Sequence, residues 1–181
     1  MNKLTLIIPA KNESESLPLV LDELKIYDLN INIILKESDI STIRSVENYP
    51  VNLIFQDNKG YGDALIKGIE TCTTDYFSIF NADGSFNPSE LKTMLSYIEK
   101  DNCDFVFGSR YQKNSGSEDD TFVTLVGNYI FTWIGKFIFN LNISDILYTF
   151  VVGKTDKAKK LNLKKKDFSF CVELPIKAKA H

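Results

Sequence analysis

One recurrence constrains this chain more than any other. Short apolar runs are each followed at once by a polar cluster, with helically spaced apolar residues between one run and the next. Leu4-Thr5-Leu6-Ile7-Ile8 ends at Pro9, which suits a strand buried on both faces of a parallel sheet. Asn12-Glu13-Ser14-Glu15-Ser16 then supplies capping residues, and Leu17, Val20, Leu21 and Leu24 fall at helical spacing. Ile31 to Leu35 reads as a second strand, Ile40 to Val46 as a short helix and Val51 to Phe55 as a third strand. Gly60-Tyr61-Gly62-Asp63 turns into a helix carrying Ala64, Leu65, Ile69 and Cys72. Asp75 to Phe80 is a fourth strand, a helix starts near Pro88, and Asp104 to Phe107 is a fifth strand.

Strands alternating with helices at this spacing predict right-handed βαβ units and an α/β fold with a mostly parallel central sheet flanked by helices. Such sheets bind ligands beyond the carboxyl ends of their strands. Four polar clusters stand at those ends: Asn12-Glu13, Glu37-Ser38-Asp39, Gln56-Asp57-Asn58-Lys59 and Asn81-Ala82-Asp83. The topology gathers them along one edge. With 181 residues, 44% of them hydrophobic and 25% charged, the chain is expected to form one globular domain.

A net charge of −3 offers nothing for bulk attraction to nucleic acid, and none is expected as a partner. Cys72, Cys103 and Cys171 lack the spacing of a disulfide framework or a thiolate zinc site, and read as reduced thiols of a cytoplasmic protein. The opening Met1-Asn2-Lys3 and the short apolar run behind it do not make a secretory leader. Arg44 and Arg110 are the only arginines, which draws attention to both.

Beyond residue 110 the pattern changes. Residues 122–139 are strongly apolar and aromatic, but Gly127, Asn128, Thr132, Gly135 and Lys136 mark a polar stripe. An amphipathic helix, or two, follows from that stripe. It suits peripheral contact with a bilayer interface, and equally a helix packed on the sheet or in a homodimer contact. Lys154 to Lys166 holds seven lysines; such a run is a solvated face or a surface attracted to anionic lipid.

The chemistry concentrates in Asn81-Ala82-Asp83-Gly84. A carboxylate just past a buried strand, on a turn with glycine, can reach a ligand at the sheet edge and hold Mg²⁺ or Mn²⁺ against a diphosphate. Asn-x-Asp-Gly is also ordinary turn chemistry. The surrounding residues favour the first reading. Ile7-Ile8-Pro9-Ala10-Lys11-Asn12-Glu13 resembles the opening motif of family 2 glycosyltransferases of the GT-A fold. Asn58-Lys59-Gly60-Tyr61-Gly62-Asp63-Ala64 with Gly68 resembles their N-x-G-x-G-x-A…G segment, and Asn81-Ala82-Asp83 stands at their D-x-D. Gly108-Ser109-Arg110-Tyr111, Asn128, Asp145 to Phe150 and Phe168 to Leu174 resemble later motifs of the branch that holds dolichyl- and polyprenyl-phosphate sugar synthases.

The resemblance implies a Rossmann-like GT-A fold over residues 1–181, with a nucleotide-sugar-binding half at 1–110 and an acceptor-side half at 111–181. It implies a UDP- or GDP-sugar donor, a polyprenyl-phosphate or saccharide acceptor, and work on the inner face of the membrane in cell-envelope polysaccharide synthesis. Pro9, Ala10, Asn12, Glu13 and Asp63 would line the base and ribose pocket, although the first four also satisfy a strand end with a cap and Asp63 a helix start. Asp83, with Asn81 as a weaker ligand, would hold the metal, beside Ala82 and Gly84. Arg110 would meet anionic oxygens, or pair with the acids at 118–120. Asp145 would act as general base toward a hydroxyl acceptor, or cap a helix. Glu173 would orient acceptor or support Arg110.

Three departures from the family pattern stand out. Lys36-Glu37-Ser38-Asp39 replaces an acidic D-D-G-S, leaving Glu37 or Asp39 as base-reading acid. Asn81 replaces the first acid of D-x-D. Asp145-Ile146-Leu147-Tyr148-Thr149-Phe150 lacks the glycine of D-x-x-[ST]-G-F. Relatives continue past the position of His181 into another strand and a basic loop, so the acceptor-side half is expected to be truncated. A weakly catalytic sugar-nucleotide-binding module is the rival reading. A nucleotidyltransferase is disfavoured because Pro9-Ala10-Lys11-Asn12-Glu13 is no glycine-rich basic loop.

Overall fold

The computed structural model describes residues 2–110 and 144–180. In chain order the elements are β1 (Leu4–Pro9), α1 (Ser16–Leu24), β2 (Asn30–Leu35), α2 (Ile40–Ser45), β3 (Asn52–Phe55), α3 (Tyr61–Thr71), β4 (Tyr76–Ile79), α4 (Glu90–Asp101), β5 (Phe105–Phe107), β6 (Val151–Lys154), α5 (Thr155–Lys160) and α6 (Phe170–Ala180). All five expected strands and the four helices expected before residue 110 are present, with ends shifted by a residue or two.

The strands form one sheet in the order β3-β2-β1-β4-β6-β5. β1 pairs in parallel with β2 and β4, and β2 with β3. β6 lies antiparallel between β4 and β5. The sheet is therefore mostly parallel, with one reversed strand that the sequence reading did not anticipate. Val151-Val152-Gly153 is too short an apolar run to announce itself. β6, α5 and α6, all beyond residue 110, belong to the same sheet and its cover.

Side-chain alternation divides the core. Leu4, Leu6 and Ile8 of β1 pack with Ile33, Leu35 and the buried residues of α1 and α4 on one face. Ile7 joins Ile34, Phe77, Ile79 and the apolar residues of α3, α5 and α6 on the other. Both faces are covered, which is why these strands read as near-continuous apolar runs. Each fully buried leucine or isoleucine contributes about 1.5–3 kcal/mol. The buried polar side chains find partners: Thr5 with Thr74 at 2.7 Å, and Asn32 with Asn52 at 3.1 Å.

Cys72 and Cys171 are buried and Cys103 half-buried, none in a disulfide. Among the described residues no helix is long and apolar enough to cross a membrane. The amphipathic segment 122–139, Tyr111 and His181 lie outside the described residues.

β6 fits because Gly153 has no side chain. A Cβ there would lie 2.6 Å from the Phe105 ring and 2.7 Å from the Phe77 ring. Gly153→Ala is expected to lower unfolding free energy by about 1–3 kcal/mol, the usual cost of overpacking. Urea unfolding measures it, and an unchanged midpoint contradicts this packing.

Candidate active site

The sheet order places a crossover reversal beside β1. From β1 the chain moves outward to β2 and β3, then returns to set β4 on the other side. A crevice opens at the carboxyl end of such a pair. β6 adds to it by running the opposite way. Ile79, at the end of β4, is in register with Val151, at the start of β6, and Phe107, at the end of β5, meets the same Val151. The segments 80–85, 108–110 and 145–150 therefore emerge along one edge, although 35 residues separate Arg110 from Asp145 in sequence.

On the β1 side, Asn12 takes a left-handed conformation, φ 59°, and its N–H donates to Asp39 Oδ2 at 2.7 Å. The Glu13 N–H donates to Thr42 Oγ1 at 3.0 Å, and the Glu13 carboxylate accepts from Ser16 Oγ at 2.5 Å. Asp39 also accepts from the Thr42 N–H, capping α2. Burial works against its charge, but the donors from Asn12, Thr42 and Ser41 prevail and hold its carboxyl below the usual range. Asp39 thus ties the β1 loop to α2, while Glu37 is exposed beyond β2. Pro9 is half-buried and Ala10 buried. The expected capping of α1 by the 12–16 cluster is not what the structure shows, since Glu15 is the N-cap and makes no side-chain cap.

On the β4 side, Asp83 Oδ1 accepts from the Ser85 N–H at 2.9 Å and the residue is exposed. Gly84 has φ 80°, and Ala82 is buried. Asn81 Nδ2 donates to Ser85 Oγ at 3.0 Å, and Asn81 Oδ1 faces the Tyr61 hydroxyl at 3.5 Å. Burial raises the Tyr61 phenol above its ordinary range, opposed by its bond to Thr149, with charges that include Asp83 adding to the shift. Tyr148 is pushed up to about 12, by burial first and then by Glu90, with Arg110 opposing. Burial is the main cause in both tyrosines, with Asp83 adding a smaller push in the same direction.

Arg110 and Asp145 form the most defined pair. Arg110 Nε donates to Asp145 Oδ2 at 2.9 Å, Nη2 to Oδ1 at 3.2 Å, and the Arg110 N–H to Oδ2 at 3.3 Å. The guanidinium also lies 5.2 Å from the Tyr148 ring. The Asp145 side chain is wholly buried, whereas that of Arg110 is 26% exposed. Arg110 pairs with Asp145, and both Asp145 oxygens accept from it, an arrangement that aims the guanidinium. The acids at 118–120 lie outside the described residues.

The start of α3 explains the two glycines around Tyr61. A Cβ on Gly60 or Gly62 would meet the carbonyl oxygen of Lys166 or Lys165 at 2.0 and 2.1 Å, so the lysine loop packs directly onto the helix end. The Asp63 N–H donates to Lys166 O at 3.0 Å. The Asp63 carboxylate accepts from the N–H and side chain of Asn58 at 3.2 and 3.1 Å and lies 3.3 Å from Lys166 Nζ. Asp63 thereby brackets the loop before α3. Glu173 likewise braces the lysine loop. Its carboxylate accepts from the N–H groups of Lys164 and Lys165 and pairs with Lys177 at 2.8 Å.

The lysine run is therefore largely a paired face. Lys154 and Lys157 reach Asp104, Lys160 reaches Asp156, and Lys159 donates to the Cys72 carbonyl. The reading from sequence missed Tyr61, Tyr148, Thr149 and Phe168, which line the same edge or brace it. The Tyr61 ring stacks on Phe168 at 5.0 Å. A tyrosine between two glycines was the available signal for Tyr61, and the motif segments 145–150 and 168–174 held the others without pointing to their roles.

A divalent ion at Asp83 fits the chemistry of this turn, as an exposed carboxylate with one oxygen not used by Ser85. Among the described residues no group of three or more His, Cys, Asp or Glu side chains converges, so most ligands of such an ion would come from substrate and water. A separate pocket of about 550 Å³ opens at the opposite edge of the sheet, lined by Cys72 to Tyr76, Lys154 to Asp156 and Lys159. It contains none of the candidate catalytic, donor-binding or metal-binding residues.

Residues 5–161 match the family described as Glycosyl transferase family 2. An uncharacterized glycosyltransferase of Mycobacterium tuberculosis is 25% identical over 142 residues, 78% of this chain and 63% of that protein. A dolichol-phosphate mannosyltransferase of Pyrococcus furiosus is 30% identical over 127 residues, 65% of this chain and 36% of that protein. The chain thus spans less than two thirds of the length of either relative. Among solved structures, glucosyl-3-phosphoglycerate synthase of Mycobacterium tuberculosis, in complex with Mn²⁺, UDP and glucosyl-3-phosphoglycerate, superposes with a TM-score of 0.73 at 12% identity, over 97% of this chain and 67% of that one. Mannosyl-3-phosphoglycerate synthase of Rubrobacter xylanophilus gives 0.66 at 17% identity, over 84% and 53%. These likenesses establish the GT-A fold.

The anchoring of the lysine loop by Glu173 has a pH signature. Burial opposes the charge, but Lys177 and the N–H groups of Lys165 and Lys164 outweigh it and hold the carboxyl below its ordinary 4.5. A lowered folded pKa contributes stability that is complete above about 4.5 and lost as pH falls through the folded value. Urea unfolding across that window is expected to show a smaller drop for Glu173→Gln than for the unaltered protein. Parallel pH profiles for the two contradict this anchoring.

Proposed function

The chain belongs to glycosyl transferase family 2, and on that premise we propose that it transfers a hexose from a UDP- or GDP-sugar to a lipid-phosphate or saccharide acceptor, with inversion, in cell-surface glycan synthesis. The observation that carries this reading is the meeting of three segments at one sheet edge: the β1 loop with Asn12 and Glu13, the β4 turn with Asp83, and Arg110 held by Asp145. An acid on an exposed turn faces a diphosphate in such a crevice, and a guanidinium clamped from behind suits anionic oxygens.

In the proposed reaction an acceptor oxygen attacks the anomeric carbon from the face opposite the diphosphate. The new C–O bond forms as the bond to the diphosphate oxygen breaks, and that oxygen keeps the electron pair. Pro9, Ala10, Asn12 and Glu13 line the base and ribose side, with Glu37 beyond β2 at its outer end. Arg110 meets phosphate oxygens of donor or acceptor, and Asp145 fixes its direction. A Mg²⁺ or Mn²⁺ ion at Asp83 supplies neutralisation of charge accumulating on the nucleoside diphosphate. An ionised phosphate acceptor needs no general base. That agrees with Asp145 being committed to Arg110, and favours lipid phosphate over a hydroxyl acceptor. Such an acceptor puts the protein at the cytoplasmic face of a membrane.

Among the described residues Asp83 makes only the local bond to Ser85, so its removal should spare the fold. Asp83→Ala is expected to lower sugar transfer at least about 100-fold, the scale of losing one electrostatic stabiliser of the leaving group, with an unchanged melting temperature. Transfer and donor hydrolysis with UDP- and GDP-sugars, with and without Mn²⁺, provide the measurement. Turnover that survives the substitution contradicts the assignment. Donor binding by calorimetry with no transfer to any acceptor would make the chain a binding module, a reading that the neutral Asn81 favours.

A further inference from the structure

The loops after β1 and β2 leave the same edge of the sheet side by side, with Pro9 and Ile34 in register. Two hydrogen bonds cross between them. The Asn12 N–H donates to Asp39 Oδ2 at 2.7 Å and the Glu13 N–H to Thr42 Oγ1 at 3.0 Å. Asp39 is firmly seated for this work. Its N–H donates to Lys36 O at 2.9 Å and its carbonyl accepts from the Ile43 N–H at 3.1 Å. Its Oδ1 accepts from Ser41 Oγ at 3.1 Å and from the Thr42 N–H at 3.3 Å. Thr42 is fully buried.

The bond to Asp39 falls on a residue whose backbone needs holding. Asn12 has φ 59°, a left-handed conformation that asparagine tolerates better than most residues but does not prefer. Asn12 and Glu13 both give their N–H groups to the start of α2, so neither N–H is left for a ligand. The exposed Asn12 side chain carries an amide with two donors and an acceptor, which suits sugar hydroxyls and base edges. Where that amide can point depends on the backbone conformation beneath it, and Asp39 sets that conformation.

We propose that Asp39 is a positioning residue for nucleotide recognition: its carboxylate locks the left-handed turn at Asn12 and so aims the Asn12 amide at the nucleoside of the donor. This rests on the donor-binding reading above. Asp39 acts through Asn12 and does not read the base itself. Asp39→Asn separates its two jobs. Asparagine caps a helix about as well as aspartate, so its oxygen keeps the Thr42 N–H, while its amide nitrogen turns toward the Asn12 N–H and sets donor against donor. Asn12→Gly is the complementary change, since glycine takes the turn without strain and lacks the amide.

Two measurements on the full chain test this. Without nucleotide, Asp39→Asn should speed hydrogen exchange at the Asn12 N–H at least about tenfold, the scale of losing a bond to a charged acceptor, and leave the Thr42 N–H within about twofold. With nucleotide, calorimetry gives the affinity for UDP and GDP of the unaltered protein, Asp39→Asn, Asn12→Gly and the double variant. Each single change should weaken the tighter nucleotide at least about fivefold. The double variant should fall within about twofold of Asn12→Gly, because a positioning residue has nothing to aim once the amide is gone. Circular dichroism checks the fold, and Asp39→Ser, which caps α2 but is too short to reach Asn12, replaces Asp39→Asn should that variant not fold. Losses that multiply in the double variant overturn the proposal, for they make Asp39 an independent contact or a general brace. Exchange at Asn12 untouched by the Asp39 change overturns it as well. If neither UDP nor GDP binds the unaltered protein, the donor reading fails and takes this role with it, even where exchange shows the bracket intact.

Discussion

The antiparallel pairing of β6 between β4 and β5 is the interaction on which the rest of the structure depends. A purely parallel continuation would deliver residues 145–150 to the sheet edge opposite Asp83. By reversing, β6 begins where β4 ends, and Ile79 and Val151 lie in register. Arg110 arrives at the same edge because β5 runs with β4 and ends level with Val151. The Arg110–Asp145 pair then closes the gap between two segments far apart in sequence. Burying the Asp145 carboxylate costs desolvation free energy, which the bidentate guanidinium and the backbone N–H offset.

A second constraint acts at the start of α3. The lysine loop lies on Gly60 and Gly62 so closely that any side chain there would strike backbone. Glu173 holds the loop from behind through the Lys164 and Lys165 N–H groups, and Asp63 holds the preceding loop through Asn58. Both acids help shape the ground on which Tyr61 stands. Their work appears at the rim only through Tyr61, whose hydroxyl reaches Thr149 and the Asn81 turn.

Much of the fold was legible because buried parallel strands must be apolar on both faces. Leu4 to Ile8 and Ile31 to Leu35 could hardly be anything else, and their polar ends pointed to the right edge. β6 was not legible, since the four residues Val151-Val152-Gly153-Lys154 carry no period and antiparallel insertion is a tertiary choice. The motif positions were readable but several roles were not. Asp63, Asp145 and Glu173 look alike in sequence as acids beside family motifs. Burial and hydrogen bonds tell them apart: Asp83 differs from all three by being exposed, with a single local bond among the described residues.

The most direct test of a shared rim is where a bound Mn²⁺–UDP complex broadens the amide resonances of the protein. The account predicts paramagnetic broadening at residues 12–13, 82–85 and 149–150, with residues 73–76 and 154–159 at the far edge of the sheet left sharp. Broadening centred on that far edge, around the pocket between β4 and β6, would contradict it.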